Sequence, residues 1–305
     1  MAFSIDKLSP TLGFGALVRG LSMADLEDAA TRKRLYDLWI QEGVVVFSDS
    51  QVTTDLQVAL SKCFGKLEQH PQKEIWVEGH PELIEIKYTP EAGGLYEVDG
   101  VVQASWIPWH ADLIYADRIN HGGILRAIRI PSRGGRTGFV DGIALYDSLP
   151  EKLRQAVEGR KVVYRMRINV ERNRFATRSK YHRVRTTAHY ESVEAREDRD
   201  FPPSVHPLVY TQQETGRKVL NFSPLFAERI VGMEPAESDA TLYALLDHMS
   251  SGKHDYFHTW KPTDMVLWDN WRIRHSVTGA PADEPREMQR TTIAGDYQLG
   301  EKLAA

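Results

Sequence analysis

Hydrophobic and polar residues alternate along the chain with two distinct periods, and each period predicts one type of secondary structure. Apolar residues at helical spacing predict helices over residues 22–42, 53–64, 142–157 and 236–250, and Pro150 predicts a fresh helical start within the third of these segments. Apolar runs and alternation predict strands over residues 44–47, 83–88, 123–130, 137–141, 206–210, 217–222, 264–269, 272–277 and 290–297. We expect the strands 264–269 and 272–277 to be neighbours, and the glycine-rich residues 89–105 to form a loop.

The order of these elements predicts a mainly β fold with a few flanking helices. Many short strands separated by turn signals are typical of a double-sheet β fold. β domains can be long, so we predict a single domain over residues 1–305. Residues 160–203 carry many charges and show no clear hydrophobic period. This segment is predicted to be either a lid over an anionic ligand or a solvated surface excursion.

Composition and charge exclude several classes of function. The net charge of −4 argues against a dedicated nucleic-acid-binding protein, which is usually basic. No apolar run approaches the roughly 20 residues of a membrane span, and the N-terminus lacks a basic segment followed by an apolar core. The single cysteine, Cys63, cannot form an intramolecular disulfide. We therefore expect a cytoplasmic protein without nucleic-acid or membrane partners.

The candidate chemistry lies in the segment Trp106-Ile107-Pro108-Trp109-His110-Ala111-Asp112. Residues i and i+2 of an extended strand point to the same face, so the His110 imidazole and the Asp112 carboxylate can converge on one metal ion. His275, on a predicted strand late in the chain, can supply a third ligand. Two histidines and one carboxylate hold Fe(II) on one face and leave positions open for substrate and oxygen.

Thr137, in a Gly-Gly-Arg-Thr turn, and Arg286, beyond His275, extend this pattern. With them, the chain resembles the taurine dioxygenase (TauD/TfdA) family of Fe(II)- and 2-oxoglutarate-dependent dioxygenases. The resemblance covers nearly the whole chain, in segments at residues 43–47, 64–67, 109–112, 134–137, 206–209, 215–218, 267–270 and 292–296. It implies the family fold, a double-stranded β-helix (a cupin-like jelly roll) with flanking helices.

The resemblance also implies roles for individual residues. The iron ligands, and hence the catalytic residues, would be His110, Asp112 and His275. Arg286 and Thr137 would hold the distal carboxylate of 2-oxoglutarate, because a planar guanidinium makes bidentate, charge-assisted hydrogen bonds to a carboxylate. The cofactors implied are therefore Fe(II), 2-oxoglutarate and O2.

Three positions match those that line the pockets of the family. Trp268 would lie beside the co-substrate, although a core aromatic in a buried strand is an equally good description. Arg290 would meet the anionic end of the primary substrate, with a structural ion pair or a second co-substrate contact as the alternatives. His70 also matches a substrate-side position.

The resemblance to taurine-using members fails at two places. A tyrosine in those members is replaced by Lys73, and an asparagine four residues before the first iron ligand is replaced by Trp106. Aromatic side chains near the motif could form a larger pocket. The candidates are Trp106, Trp109, Tyr115, Phe222 and Phe226, each of which could instead be an ordinary core residue. We expect a small anionic substrate of the carboxylate type, aromatic or amino-acid-derived, and larger than taurine.

The predicted reaction is oxidation of a substrate C–H bond with release of succinate and CO2. Because Asp112 is a carboxylate, the site resembles hydroxylating rather than halogenating members. Desaturation or oxidative cleavage on the same iron site is the alternative within this class, and a non-catalytic jelly-roll binding protein is the alternative outside it. A zinc hydrolase would leave Arg286 and Thr137 unexplained. We also expect a homo-oligomer, either a dimer or a tetramer.

Overall fold

The computed structural model of the protein describes residues 3–69, 75–296 and 298–303. In chain order, its strands are β1 (Ser4–Lys7), β2 (Ala16–Arg19), β3 (Val44–Ser48), β4 (Leu67–Glu68), β5 (Trp76–Val77), β6 (His80–Tyr88), β7 (Leu95–Val98), β8 (Val101–Ala104), β9 (Ile107–His110), β10 (Gly122–Arg129), β11 (Thr137–Asp141), β12 (Lys161–Tyr164), β13 (Tyr181–Arg185), β14 (Ser204–Pro207), β15 (Val209–Thr211), β16 (Lys218–Leu220), β17 (Ala227–Ile230), β18 (Asp255–His258), β19 (Met265–Asp269), β20 (Ile273–Val277), β21 (Arg286–Ile293) and β22 (Glu301–Lys302). Its α-helices are α1 (Ala29–Glu42), α2 (Thr54–Lys62), α3 (Gly142–Asp147), α4 (Glu151–Val157), α5 (Ala188–Glu194), α6 (Glu197–Asp200) and α7 (Pro235–Met249). Within these ranges, no helix is long and apolar enough to cross a membrane.

Two sheets face each other and form the jelly roll that the sequence predicted. The first sheet has the strand order β1-β2-β3-β19-β10-β21-β6-β5, with β4 paired to β21, and the second has the order β18-β11-β20-β9. Buried side chains of both sheets meet between them: the ring of Phe139 on β11 lies 6.3 Å from the ring of Trp268 on β19. Burial of these apolar faces is the main source of stability for such a double-sheet fold.

The two faces of β21 serve different parts of the molecule. Met288 packs into the core between the sheets, and Arg286 and Arg290 share its face because side chains alternate along a strand. On the opposite face, the Thr291 hydroxyl lies 2.7 Å from the Ser61 hydroxyl of α2. One face of β21 therefore points towards the interior of the jelly roll, and the other anchors a flanking helix.

The predicted helices are present, but two of them are interrupted. The segment 22–42 first forms a short 3-10 helix (Ala24–Glu27), and α1 begins only after Asp28, whose carboxylate accepts two backbone N–H bonds as the N-cap. The segment 142–157 divides into α3 and α4 around Pro150, which cannot continue a helix from its N-terminal side. The cap at Asp28 overrides the hydrophobic period, whereas the new helical start at Pro150 is the one that the sequence predicted.

Two strand predictions were wrong. Residues 95–104 form the hairpin β7–β8 rather than a loop, with positive φ angles at both turn residues, Asp99 (48°) and Gly100 (84°). Strands β19 and β20 are not neighbours, because β19 lies in the first sheet and β20 in the second. The corner 270–272 carries the chain from one sheet to the other.

Residues 160–203 contain regular structure and internal ion pairs. Strand β12 is a central strand of a third sheet, with the order β17-β12-β14-β22. The fully buried carboxylate of Glu197 binds the guanidinium groups of Arg167 (3.1 Å) and Arg172 (2.6 Å). Arg167 also pairs with Asp198, so the charges of both arginines are neutralised within the segment itself. The role of this segment as a lid stays a prediction.

His206 on β14 is a fully buried histidine. Its Nε2–H donates a hydrogen bond to the carbonyl of Ala116 (2.8 Å). Gly300, next to β22, lies against the imidazole so closely that a Cβ there would come within 2.3 Å of the ring. Burial lowers the pKa of His206 from 6.5 to about 4, so the ring is neutral at physiological pH.

The folded protein should lose stability as the pH falls from about 6.5 to 4, and His206 should account for part of this loss. Its folded pKa lies below its unfolded value, so the unfolded state binds the extra proton first and acid favours unfolding. One such proton contributes up to about 1.4 kcal/mol per pH unit to the free energy of unfolding. Urea denaturation between pH 4.5 and 7 should show that the free energy of unfolding falls less steeply with decreasing pH in His206→Gln than in the wild type. The exposed His182→Gln serves as the control, and equal slopes for all three proteins would contradict the prediction.

Candidate metal centre

The two candidate histidine ligands lie on neighbouring strands of the second sheet. Strands β9 and β20 pair with His110 opposite His275, and the two ring centroids are 4.1 Å apart. Both residues are buried. The His275 ring also lies 5.0 Å from the ring of Trp268 on the opposite sheet, so this site lies between the sheets. The backbone pairing of two distant segments thus brings the imidazoles together.

Asp112 lies beyond the end of β9, in a turn, and not on the extended strand that the sequence spacing suggested. The following residue, Leu113, has a φ of 57° and reverses the chain. The carboxylate nevertheless reaches both histidines: Oδ1 lies 3.9 Å from Nε2 of His110 and 3.7 Å from Nε2 of His275. The side chains converge through the geometry of a turn instead of the alternation of a strand.

These three residues have the chemistry and spacing of a metal site. One ligand atom of each lies within 4.8 Å of the other two, and no other such group of three occurs in the described ranges. Two ligands about 2.1 Å from a shared ion are at most about 4.2 Å apart, so both nitrogen–oxygen distances fit one ion. Two imidazoles and one carboxylate suit Fe(II) with open positions.

The protonation states of the three side chains also favour a metal. Burial lowers the pKa of His110, and it lowers the pKa of His275 well below its usual value. Burial alone would raise the pKa of Asp112, but the charge of Arg290, followed by the two imidazoles, lowers it to about 2. At neutral pH, the site therefore offers two neutral imidazoles and one carboxylate, which are the forms that bind metals.

A backbone contact fixes the orientation of His110. Its Nδ1–H donates to the carbonyl of Pro108 (2.8 Å), which leaves the lone pair of Nε2 facing Asp112 and His275. Such a contact is typical of metal-bound histidines. The ring of Phe226 meets the His110 ring edge-on at 6.3 Å and covers one side of it.

Arg286, the first residue of β21, is a buried cation without an anionic partner in the described parts of the chain. Burial lowers its pKa to about 10, so it is still charged at neutral pH. The guanidinium packs against Gly135, where a Cβ would lie 3.3 Å from Nε. Thr137 follows in the same segment, and its hydroxyl accepts a hydrogen bond from Nε1 of Trp260 (3.1 Å). A carboxylate-bearing ligand would supply the missing charge.

Four buried N–H donors at the site lack a partner among the residues that the structure describes. They are His275 Nδ1, Trp268 Nε1, Arg286 Nη2 and Arg290 Nε. Buried donors are nearly always paired in folded proteins, because leaving one unpaired costs free energy. Trp268 Nε1, Arg286 Nη2 and Arg290 Nε can only donate, and His275 Nδ1 is a donor when its Nε2 binds a metal. The site is thus suited to a ligand rich in oxygen acceptors, as 2-oxoglutarate is.

Arg290 lies beside the candidate ligands. Its Nη1 donates to Oδ2 of Asp112 at 2.9 Å, and its side chain is one-fifth exposed. This contact corresponds to the ion-pair alternative for Arg290, but it does not use the whole guanidinium. The buried Nε faces no acceptor in the described residues.

The candidate substrate residues do not all lie together. Tyr115 lies 5.0 Å from Phe226 and 5.6 Å from Phe201, ring to ring, and burial, followed by the charge of Asp112, raises its pKa to about 12. These three rings form an aromatic wall next to the metal ligands. Phe222 is a fully buried residue of the large core beside the wall.

Trp106 lies apart from this wall. The ring of Trp106 packs against Tyr96 (5.7 Å) and Tyr181 (5.3 Å) and lines a separate cavity of about 180 Å³ with Trp109. His70 and Lys73 fall outside the described residues.

Sequence patterns missed three residues that shape the site. Asn270 binds the main chain of Asp112, Gly135 makes room for Arg286, and Phe201 extends the aromatic wall. Gly135 lies in a Gly-Gly turn with a positive φ of 60°, which is a detectable signal for close backbone approach. Asn270 and Phe201 carry no local signal, because their roles depend on contacts with distant segments.

The model of one protein family, described as taurine catabolism dioxygenase TauD, TfdA family, matches residues 4–292. The chain is 33% identical over 300 residues to an (S)-phenoxypropionate/alpha-ketoglutarate-dioxygenase from Sphingobium herbicidovorans, covering 97% of this chain and 96% of the relative. It is 29% identical over 290 residues to an alpha-ketoglutarate-dependent 2,4-dichlorophenoxyacetate dioxygenase from Burkholderia sp. (strain RASC), covering 92% of this chain and 89% of the relative.

The fold is similar to solved structures as well. A taurine dioxygenase from Burkholderia xenovorans superimposes with a TM-score of 0.73 and 25% sequence identity, covering 99% of this chain and 95% of that one. The likeness extends over both sheets and the flanking helices, since nearly all of each chain is matched. The jelly-roll fold is thereby confirmed.

Proposed function

Because this chain belongs to the TauD/TfdA family and is an Fe(II)- and 2-oxoglutarate-dependent dioxygenase, we propose specific roles for the residues of its metal centre. His110, Asp112 and His275 hold the iron. Their convergence, burial and unprotonated state support this assignment. The alternative of a non-catalytic binding protein is not supported, because the family consists of enzymes and the ligand set is intact.

Arg286 binds the distal carboxylate of 2-oxoglutarate, and Thr137 assists it. The single observation that carries this assignment is the buried guanidinium of Arg286, which has no partner among the residues that the structure describes. A zinc hydrolase would have no use for such a group. The Trp260 N–H occupies a lone pair of the Thr137 hydroxyl, which leaves its O–H free to donate to a carboxylate oxygen.

When bound, iron supplies the oxygen activation that converts 2-oxoglutarate to succinate and CO2 and oxidises a substrate C–H bond. The protein's own side chains bind, orient and exclude water. Trp268 and Phe226 cover the two histidine rings from different sides. The Nε1–H of Trp268 has no partner among the described residues and can donate to an acceptor of the co-substrate.

The proposed substrate is a small carboxylate with an aromatic ring, of the aryloxyalkanoate type. Two of the similar enzymes are named for phenoxypropionate and dichlorophenoxyacetate, and both compounds combine a ring with a carboxylate. The aromatic wall of Tyr115, Phe201 and Phe226 can pack against the ring. The Nε–H of Arg290 can bind the carboxylate while Nη1 stays on Asp112. Hydroxylation is the proposed outcome, with desaturation or cleavage as the alternative on the same site.

Two measurements test these assignments. Anaerobic addition of Fe(II) and 2-oxoglutarate should produce the weak visible charge-transfer band of the chelate. Succinate release should then be compared for both enantiomers of 2-phenoxypropionate, for phenoxyacetate, for an alkyl sulfate ester and for taurine. We expect the aryloxyalkanoates to be turned over fastest. Turnover of taurine or the sulfate ester alone would contradict the substrate proposal but not the metal site.

Replacing Arg290 with alanine should raise KM for the carboxylate substrate by about 10- to 100-fold, the equivalent of one charge-assisted hydrogen bond. KM for 2-oxoglutarate should change much less. The matched control is Arg126→Ala, which removes a buried arginine of the adjacent strand β10 that binds Gln289 and Thr54 on the helix side of the sheet. If Arg290 only supported Asp112, the variant would lose Co(II) affinity and keep its KM for the substrate.

A further inference from the structure

The turn that carries Asp112 is held by side chains from three other segments. We call residues 111–116 the ligand turn. Among the described residues, one backbone hydrogen bond is internal to this turn, from the Ala116 N–H to the carbonyl of Leu113 (2.8 Å). The other contacts come from Ser223 to the N–H of Ala111 (3.0 Å), Asn270 to Asp112, Ser204 to the carbonyl of Ile114 (2.8 Å) and His206 to the carbonyl of Ala116 (2.8 Å).

Asn270 makes the most specific of these contacts. Its Oδ1 accepts the N–H of Asp112 (2.8 Å), and its Nδ2 donates to the carbonyl of the same residue (2.9 Å). The Nδ2 group also donates to both oxygens of Asn120, at 3.2 and 3.1 Å, so the amide cannot rotate without losing partners. Asn270 is fully buried. Asn270 therefore binds both the N–H and the carbonyl of Asp112, one of the candidate iron ligands.

The position of Asn270 in the fold links all three ligands. It lies at the corner between β19 and β20, and β20 carries His275 and pairs with His110. The same corner therefore fixes where β20 begins and where the ligand turn lies relative to it. A fixed distance between the carboxylate and the imidazoles follows from this arrangement.

The ligand turn needs such support because of its backbone conformation. Leu113 has a φ of 57°, in the left-handed region that branched and bulky residues rarely adopt. Such a conformation persists only when the surrounding structure imposes it. Ser223 fixes the chain two residues before Leu113, and Asn270 fixes it immediately before, so the two side chains together impose the turn.

We propose that Asn270, assisted by Ser223, is a positioning residue for the metal ligand Asp112 and that it sets the affinity of the site for the metal. The proposal rests on the assignment of Asp112 as a ligand. Neither side chain touches the metal; each acts through the main chain of the ligand turn. Contacts of this kind typically change metal affinity by about 10- to 100-fold when they are removed.

The test measures Co(II) affinity of the metal-free protein by competition with a chelating dye, alongside the urea midpoint. Asn270→Ala should bind Co(II) about 10- to 100-fold more weakly than the wild type. Its matched control is Asn173→Ala, which removes a buried asparagine that also donates to a backbone carbonyl, that of Arg167 (3.0 Å). The control should lose stability but keep its Co(II) affinity.

A second pair of variants keeps the test informative if Asn270→Ala does not fold. Ser223→Ala should weaken Co(II) binding about 10-fold. Ser238→Ala, which removes a buried hydroxyl that accepts the N–H of Ile230 (2.8 Å), should not. Unchanged Co(II) affinity in the folded variants of Asn270 and Ser223 would overturn the proposal.

Asp112→Ala separates this proposal from the one on which it rests. If Asp112→Ala abolishes Co(II) binding while Asn270→Ala and Ser223→Ala do not, only the positioning role fails. If Asp112→Ala binds Co(II) as tightly as the wild type, the ligand assignment itself fails.

Discussion

Replacing Arg286 with methionine is expected to stabilise the metal-free protein and, at the same time, to abolish its binding of 2-oxoglutarate. The guanidinium is buried and charged, and no carboxylate in the described residues neutralises it. The methionine side chain is apolar and of similar length. It would remove the free-energy cost of burying an unneutralised charge, which is on the order of 1–3 kcal/mol. Loss of a bidentate, charge-assisted contact should weaken 2-oxoglutarate binding by at least about 100-fold.

Two assays test whether Arg286→Met raises the stability of the apoprotein and abolishes binding of 2-oxoglutarate. Urea denaturation of the apoprotein should give a higher midpoint for Arg286→Met than for the wild type. In the presence of Mn(II), 2-oxoglutarate should raise the melting temperature of the wild type and leave that of the variant unchanged, since a ligand stabilises only the state it binds. Arg286→Lys retains the positive charge but not the planar guanidinium. It should bind 2-oxoglutarate weakly and should not gain stability. A variant that is destabilised and still binds 2-oxoglutarate would refute the assignment.

Replacing Asp141 with alanine should reduce the free energy of unfolding by about 3–5 kcal/mol, because it strands a buried cation. The two carboxylate oxygens of Asp141 accept Nε and Nη2 of Arg272, both at 2.7 Å, and both side chains are at most 2% exposed. Asp141 also accepts the N–H of Ile143 as the N-cap of α3. Arg272 in turn donates to the carbonyl of Gln41 at the end of α1. One ion pair thus joins the second sheet and the corner between the two sheets to a flanking helix.

An exposed ion pair provides the control for this measurement. Arg217 and Asp147 are also 2.7 Å apart, but their side chains are 50% and 57% exposed. Asp147→Ala should cost less than about 1 kcal/mol, because solvent screens such pairs. The double variant Asp141→Leu with Arg272→Met should recover much of the loss, since it leaves no unpaired charge. Equal losses in the free energy of unfolding for Asp141→Ala and Asp147→Ala would show that burial does not determine how much an ion pair stabilises the protein.

Local patterns predicted most elements of the fold because their hydrophobic period and their ends agree. Strands β3, β10 and β11 and helix α7 all lie within about two residues of their predicted bounds. The hairpin β7–β8 was missed although its turn, Asp99-Gly100, is a typical two-residue signal. Nearby glycines at 93 and 94 outweighed it in the prediction.

Relations between distant segments were less predictable. The pairing of β20 with β9 depends on how two sheets assemble, and adjacency in sequence suggested the wrong neighbour, β19. For the site, residue types and order predicted His110, Asp112 and His275 as candidate metal ligands. They could not reveal that Asp112 leaves the strand, that Arg286 has no counterion among the described residues, or that Arg290 contacts Asp112. These facts depend on three-dimensional distances.

The alternation along β21 offers a simple rule for changing the substrate range of this enzyme. Position 290 faces the interior beside the metal ligands, whereas the Thr291 side chain is bonded to α2. A mutant library can therefore vary position 290 for selectivity while keeping Arg286, Met288 and the positions that face the helix constant. Such a library changes the substrate pocket and keeps the contact between β21 and α2, so directed evolution could begin from a single strand.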